Sequence, residues 1–187
     1  MNWKLDSLYE AGEGEALYFQ ERMISYTAFG DKYDFTTYLR EFITNYQKYG
    51  SVLGAIHEDV EYQTASNPGV YCILTWIPFA STKEAIVNLG TEYKIENRAP
   101  KGDFCEGFDE EDGLYFEFID EDEIREYADL TGDQDEIKTI KPHLSVPYDK
   151  IAKVIMIQSS FQDRVFYFFK KDGEWFLWIE DFCDCSA

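Results

Sequence analysis

Histidine is scarce in this chain: His57 and His143 are the only two, so chemistry that needs a side chain titrating near neutrality has few places to start. Long apolar runs are missing as well. The longest, WFLWI at 175–179, spans five residues, against roughly 20 for a helix that crosses a bilayer, which excludes a transmembrane helix. The beginning, MNWKLDSLYEAGEGEALYF, lacks the basic start and apolar stretch of a secretory signal. A cytoplasmic location is expected from that, or a secreted or periplasmic one if the chain is a trimmed mature form.

Positive charge is also short. Lys and Arg number 17 against 37 Asp and Glu, a net charge of -20, and phosphate neutralisation needs clustered cations, so nucleic-acid binding is excluded as a general property. Cys72, Cys105, Cys183 and Cys185 show no C-x-x-C spacing, which leaves zinc without a ligand set and points to buried or idle thiols. Cys183 and Cys185, two apart on a strand end, share a face and cannot pair without strain. Pairing with Cys72 or Cys105 would need an oxidising compartment. With no G-x-S-x-G, P-loop or dinucleotide fingerprint, no cofactor is expected.

What the chain does have is apolar and aromatic surface to bury. Of its 187 residues, 45% are hydrophobic and 18% aromatic, a composition that folds despite the charge. One domain, 1–187, is expected, with 1–30 as an N-terminal extension and 103–136 as an acidic insertion. Residues 103–136 hold sixteen Asp or Glu and one Arg. Residues 13–29 read as a helix or as a helix plus a strand. Over 33–49, Phe35, Tyr38, Leu39, Phe42, Ile43, Tyr46 and Tyr49 recur at helical spacing, with Asp34 as N-cap and Gly50 as terminator. A short second helix over 51–57 follows, then an extended run, 60–64, a turn at Asn67-Pro68-Gly69, and a strand over 70–77. Residues 81–89 read as a third helix with a capping box at Glu84.

Inside the acidic stretch, LYFEFI at 114–119 reads as a strand. DEDEIREYADL at 120–130 reads as a helix whose Asp120 and Glu123 form a cap pattern. From Lys153 to Cys183 the pattern is an antiparallel meander of three strands with a tight turn at Lys171-Asp172-Gly173. Strict alternation places Tyr167 and Phe169 opposite Phe166 and Phe168, and Trp175, Leu177 and Ile179 opposite Phe176 and Trp178. Apolar residues on both sides require that helices, another segment or a second subunit cover both faces.

HEDVEYQTASNPG at 57–69 and VFYFFKKDGEWFLWIEDF at 165–182, in this order of helices and strands, resemble the nuclear transport factor 2-like superfamily, the ketosteroid isomerase-like cone fold. The chain is similar in particular to bacterial members with no known activity. The resemblance implies an α+β fold in which a curved antiparallel sheet wraps around N-terminal helices, a pocket in the cone, and a homodimer through the sheet of 153–182. In the isomerase branch a catalytic Asp would stand near Thr64 or Asn67, and neither is a carboxylate.

Three functional readings follow. The first is a noncatalytic module that binds a small apolar or amphipathic molecule or a protein partner, with a pocket lined by Tyr62, Tyr71, Trp76, Tyr115, Tyr167 and Trp175. The alternative is an acidic inhibitor or immunity-type protein that engages a basic partner through 103–136. The last is an enzyme with a His57/Asp59 acid–base pair, to which Glu61 would be a neighbour. His143 lies between two prolines and reads as structural. The acidic DEEDG at 109–113 fails the calcium-loop spacing, since Phe108 stands at the first ligand position, and no metal is expected.

Overall fold

The structure, a computed structural model, describes residues 34–50, 52–60, 62–66, 73–76, 89–90, 92–124, 144–159 and 163–182. The expectations for 1–30, for the 81–88 helix and for His143 lie outside these residues. Helix α1, Phe35–Tyr49, opens where Asp34 sits in extended geometry and accepts a hydrogen bond from the Thr37 backbone N–H at 2.8 Å. It closes at Gly50, whose φ of 62° lets its N–H turn back to the Tyr46 carbonyl. The helix buries the expected stripe: Phe35, Leu39, Phe42, Ile43 and Tyr46. Residues 52–57 form less helix than expected, a single 3-10 turn at Leu53–Ala55, after which Ile56 bridges to Leu177.

Among the described residues nine strands follow: β1 Gln63–Ser66, β2 Ile73–Trp76, β3 Lys94–Glu96, β4 Gly102–Asp103, β5 Gly107–Phe108, β6 Gly113–Ile119, β7 Lys150–Ile157, β8 Arg164–Lys171 and β9 Glu174–Asp181. Seven of them make one sheet in the order β2-β1-β9-β8-β7-β6-β3, and β4 and β5 make a separate two-stranded ribbon. The last three strands form the expected meander, and β6 joins it antiparallel. The β8–β9 turn is the two-residue Asp172-Gly173, at φ 53° and 88°, the doubly left-handed conformation that suits the twist of a hairpin.

The sheet is mixed, which corrects the expectation of an antiparallel one: β1 runs parallel to β9, and β3 parallel to β6. An apolar strand pattern records burial and not the direction of the partner strand, whether that partner is as far off as Ile179 is from Gln63 or as near as Gly113 is to Lys94, so these two joins have no local signal. β6, which begins in the acidic stretch, lies inside the sheet between β3 and β7.

Both faces are covered, as the doubly apolar strands demand. On one, α1 and the 3-10 turn pack on Leu114, Phe116, Ala152, Val154, Met156, Phe166, Phe168 and Leu177. On the other, Val60, Ile124 and Leu144 pack on Ile151, Val165, Tyr167, Phe169, Trp178 and Ile179. Segments of the same chain supply that second cover, held in part by the Ser145 hydroxyl donating to the Asp59 carbonyl at 3.1 Å.

The two-sided reading of β9 needs one correction. Tyr167 pairs with Ile179, but Phe168 pairs with Leu177, so Trp178 is an extra residue in β9. A bulge of this kind resets the alternation. Trp178 and Ile179 therefore both belong to the second cluster, and Glu180, which strict alternation would send outward with Trp178, turns toward α1.

Candidate functional site

The bulge places a carboxylate in the middle of an apolar layer. Glu180 is 2% exposed and meets groups from three other elements. Tyr46 of α1 donates to its Oε1 at 2.7 Å, and Tyr62, just before β1, donates to its Oε2 at 2.6 Å. Arg164, the first residue of β8, reaches Oε1 with Nη1 at 3.3 Å and also donates to the Tyr46 hydroxyl at 3.2 Å. Its guanidinium lies 4.8 Å from the centre of the Phe182 ring.

Burial dominates the ionisation of these groups. It pushes the Glu180 carboxyl above its ordinary value, while the Tyr62 and Tyr46 hydroxyls and Arg164 pull it back down. Both tyrosines are pushed upward, first by burial and then by the neighbouring carboxylate. They stay protonated donors. Each carboxylate oxygen is served, and the cluster is sealed beneath α1. Its chemistry is that of a buried polar network that fixes how helix and sheet meet.

His57 and Asp59 meet through the backbone of one turn. The His57 Nδ1 accepts the Asp59 backbone N–H at 3.0 Å, a turn-closing bond, and the imidazole stands edge-on to Phe176 at 4.8 Å. Their described contact uses the Asp59 backbone and not its carboxylate.

The aromatic set divides between the two faces. Tyr62 and Trp175 lie in the helix-covered cluster, and Tyr167 in the opposite one. Tyr115 pairs with Ile155 of that second layer, donates to the Glu111 carbonyl at 3.0 Å and carries Arg98 over its ring at 4.9 Å. These four do not line one pocket. Trp76 is placed on β2 opposite Gln63, and Tyr71 lies outside the described residues.

The acidic stretch is largely engaged in its own folding. Asp103 accepts the N–H groups of Cys105 and Glu106 in the β4–β5 turn. Glu110 takes both terminal nitrogens of Arg98, at 2.6 and 2.9 Å, and the Lys101 N–H. The Arg98 guanidinium, helped by that N–H, holds the Glu110 carboxyl down at about 2. Arg98 Nε binds Glu96 at 2.6 Å, so one guanidinium ties the root of the ribbon to β3. Glu111 pairs with Lys94, and Asp112 accepts from the Ser159 backbone and hydroxyl. Asp120 caps the helical turn at 121–124 by accepting the N–H groups of Asp122 and Glu123, while Glu123 reaches back to the Asp120 N–H: the expected capping box. Glu121 accepts from the Tyr148 hydroxyl. Cys105 is disulfide-bonded, which corrects the expectation of an idle thiol; the other three cysteines lie outside the described residues.

One place in the described surface combines apolar area with positive charge. Phe118, near the end of β6, is 45% exposed, the exposed large hydrophobic side chain among the described residues. It stacks on Trp175 with centroids 6.0 Å apart and planes at 19°, and Phe35 lies 4.3 Å from Trp175. The Lys150 ammonium sits 5.0 Å above the Phe118 ring. The helix-covered aromatic layer, continuous through Phe116 and Phe168, therefore reaches the surface at this end.

No protein-family model, curated protein or solved structure matches the chain. Among the described residues no helix is long and apolar enough to cross a membrane, and no group of three or more His, Cys, Asp or Glu is placed to hold a metal ion.

Sequence reasoning missed Tyr46, Arg164, Glu180 and Phe118. Two of these carried a signal: an Arg opening RVFYFFK and a Glu inside WFLWIEDF are charges in strands that are otherwise apolar, and such charges are buried only with a partner.

Proposed function

We propose that this chain is a noncatalytic binding module for a small apolar or amphipathic molecule, held at the end of the helix-covered layer where Phe118 meets solvent above the buried Trp175. The observation that carries the reading is the 45% exposure of Phe118 on top of a continuous stack of rings. An exposed ring that already has an aromatic partner beneath it offers a flat apolar platform at little ordering cost. The ionisable side chains support the same reading from the other side: Glu180, Arg164, Tyr46 and Tyr62 are occupied with one another, and His57 with the backbone.

The acidic inhibitor draws less support, because seven carboxylates between Asp103 and Glu123 bind groups of their own chain and are not left for a basic partner. Helix α1 against the meander, with the β1–β2 hairpin beside β9, favours the resemblance to the cone-type superfamily, in which a ligand pocket would be expected. A thermal-shift series with alkyl and aryl probes, repeated on Phe118→Ser, tests the module. A probe that raises the melting temperature of the parent chain and leaves that of the variant unmoved is the expected result. The reading fails if no probe stabilises the parent, or if the parent and variant respond alike.

A further inference from the structure

The β4–β5 ribbon stands outside the seven-stranded sheet, and a two-stranded ribbon is marginal in water on its own. Three ties hold it. At its root Arg98 binds Glu96 and Glu110, partly exposed pairs that contribute modestly. Next to its tip Phe104 packs, half-buried, on the second cluster and stands edge-on to Phe108 at 4.9 Å. At the tip itself Cys105 is exposed and disulfide-bonded.

Topology shows what that bond spans. The other cysteines in the sequence are Cys72, beside Ile73, and Cys183 and Cys185, within three residues of Phe182. Ile73 pairs with Ser66, and the Phe182 N–H donates to the Ala65 carbonyl at 2.8 Å, so both anchors adjoin β1. The ribbon enters the sheet at Gly113 of β6, four strands from β1. Four strand spacings make about 19 Å, and the eight steps from Cys105 to Gly113 extend to about 26 Å. Bonded to any of the three, Cys105 draws the ribbon from the β6 side toward the β1 side. Its path follows the cross-strand row Tyr115, Ile155, Val165 and Asp181 on the second face. Phe104 against that cluster and Arg98 over the Tyr115 ring agree with such a path.

We propose that the ribbon is a redox-sensitive strap: the Cys105 disulfide holds it across the second face, and a dithiol reductant releases it while the sheet stays folded. One thiolate of the dithiol attacks Cys105 Sγ, the S–S bond breaks, and the partner cysteine leaves as a thiolate that takes up a proton. The second thiol then attacks the mixed disulfide, Cys105 leaves as a thiol, and the reductant departs as a disulfide. Two electrons and two protons have passed to the chain. Once released, the ribbon keeps only Phe104 and its root pairs, whereas β6 to β9 keep ladders of seven or more residues on a buried core. Opening is therefore local. Phe118, which pairs with Ala152 of the helix-covered cluster, lies on the other face, so the strap does not rest on the binding-module reading.

Hydrogen exchange read by mass spectrometry on the full chain, before and after dithiothreitol, tests the strap, with peptide mapping of the bridge beforehand. Cys105 is expected to be bridged in protein folded in air. Reduction should speed exchange at the amides of Cys105, Glu106 and Asp109, which are bonded within the ribbon, by about thirtyfold or more, the lower part of what a lost bridge is typically worth. The amides of α1 and β8 should stay as they were. Cys105→Ser should show the fast ribbon exchange with no reductant present, and reduction of the parent gives the same reading without relying on the variant to fold. Ribbon exchange that is alike in oxidised and reduced protein overturns the strap. Exchange that speeds in α1 and β8 together with the ribbon makes the bond a staple of the whole fold and overturns it too. A free Cys105 thiol in protein folded in air, or a bridge that dithiothreitol leaves intact in the native chain, has the same force.

Discussion

Replacing Tyr62 with Phe removes one oxygen from the protein and, with it, the described donor to the Oε2 of Glu180, 2.6 Å away. The Oε1 side keeps Tyr46 and Arg164, so the variant isolates a single bond. That oxygen is buried in a residue only 2% exposed and water does not replace the donor. A hydrogen bond to a charged group contributes about 1.5–3 kcal/mol, so a loss of about 2 kcal/mol is expected. For a chain of this length that lowers the melting temperature by about 4–8 °C.

The pH dependence gives the sharper check. Burial holds the folded Glu180 carboxyl above its ordinary 4.5, so its contribution to stability is present below that pH and is lost as pH rises through the folded value. The Tyr62 hydroxyl is the strongest influence pulling that value down. Without it the folded value climbs further and the loss grows. Urea unfolding of both proteins at steps from about pH 5 to about pH 8 should therefore show the gap between them widening with pH. A gap that stays constant across the range, or one below about 0.5 kcal/mol throughout, would refute the view that Tyr62 serves a buried carboxylate.

Other substitutions probe the frame around the site. Gly113→Ala puts a Cβ 2.8 Å from the Lys94 carbonyl oxygen, backbone that moves only by spreading β3 from β6, so a loss of about 1–3 kcal/mol is expected in denaturant unfolding. Asp34→Ala deletes the N-cap of α1 and should cost about 1 kcal/mol, with hydrogen exchange speeding first at the amides of Thr36 and Thr37. Arg98→Gln should return the Glu110 carboxyl from about 2 toward its ordinary 4.5, as seen by carbon NMR. Because a lowered carboxyl stabilises above its unfolded value and loses that effect as pH falls, the ribbon of β4 and β5 should loosen in acid in the parent and be loose already at neutral pH in the variant.

Local features were the legible ones. Asp34, the 35–49 stripe and Gly50 specify α1 within a few residues of each other, as Asp120 and Glu123 specify a capping box and Asp172-Gly173 a hairpin. The demand for cover on both sides of the meander was also readable, since VFYFF and WFLWI have no polar face to give to water. That same uniformity hid the bulge at Trp178: where every side chain is apolar, a slip in alternation changes no residue type. Without the bulge Glu180 points away from Tyr46, so the buried cluster was hidden too. The parallel joins of β1 to β9 and β3 to β6 depend on the direction of a partner strand, which an apolar pattern does not carry. For His57 and Asp59, proximity in sequence suggested a pair, but the intervening turn spends the imidazole on a backbone N–H.

Among the described residues the ionisable core is closed, and we propose that the open aromatic end is where the protein acts on another molecule. The most direct test is an amide-shift NMR titration of the full chain with dodecanoate. Shifts that saturate and centre on residues 118 and 175, with Tyr62 and Glu180 unmoved, are the predicted result. Shifts centred on His57 and Asp59, or on the carboxylates of 103–123 when a basic protein is added and none with dodecanoate, would contradict it.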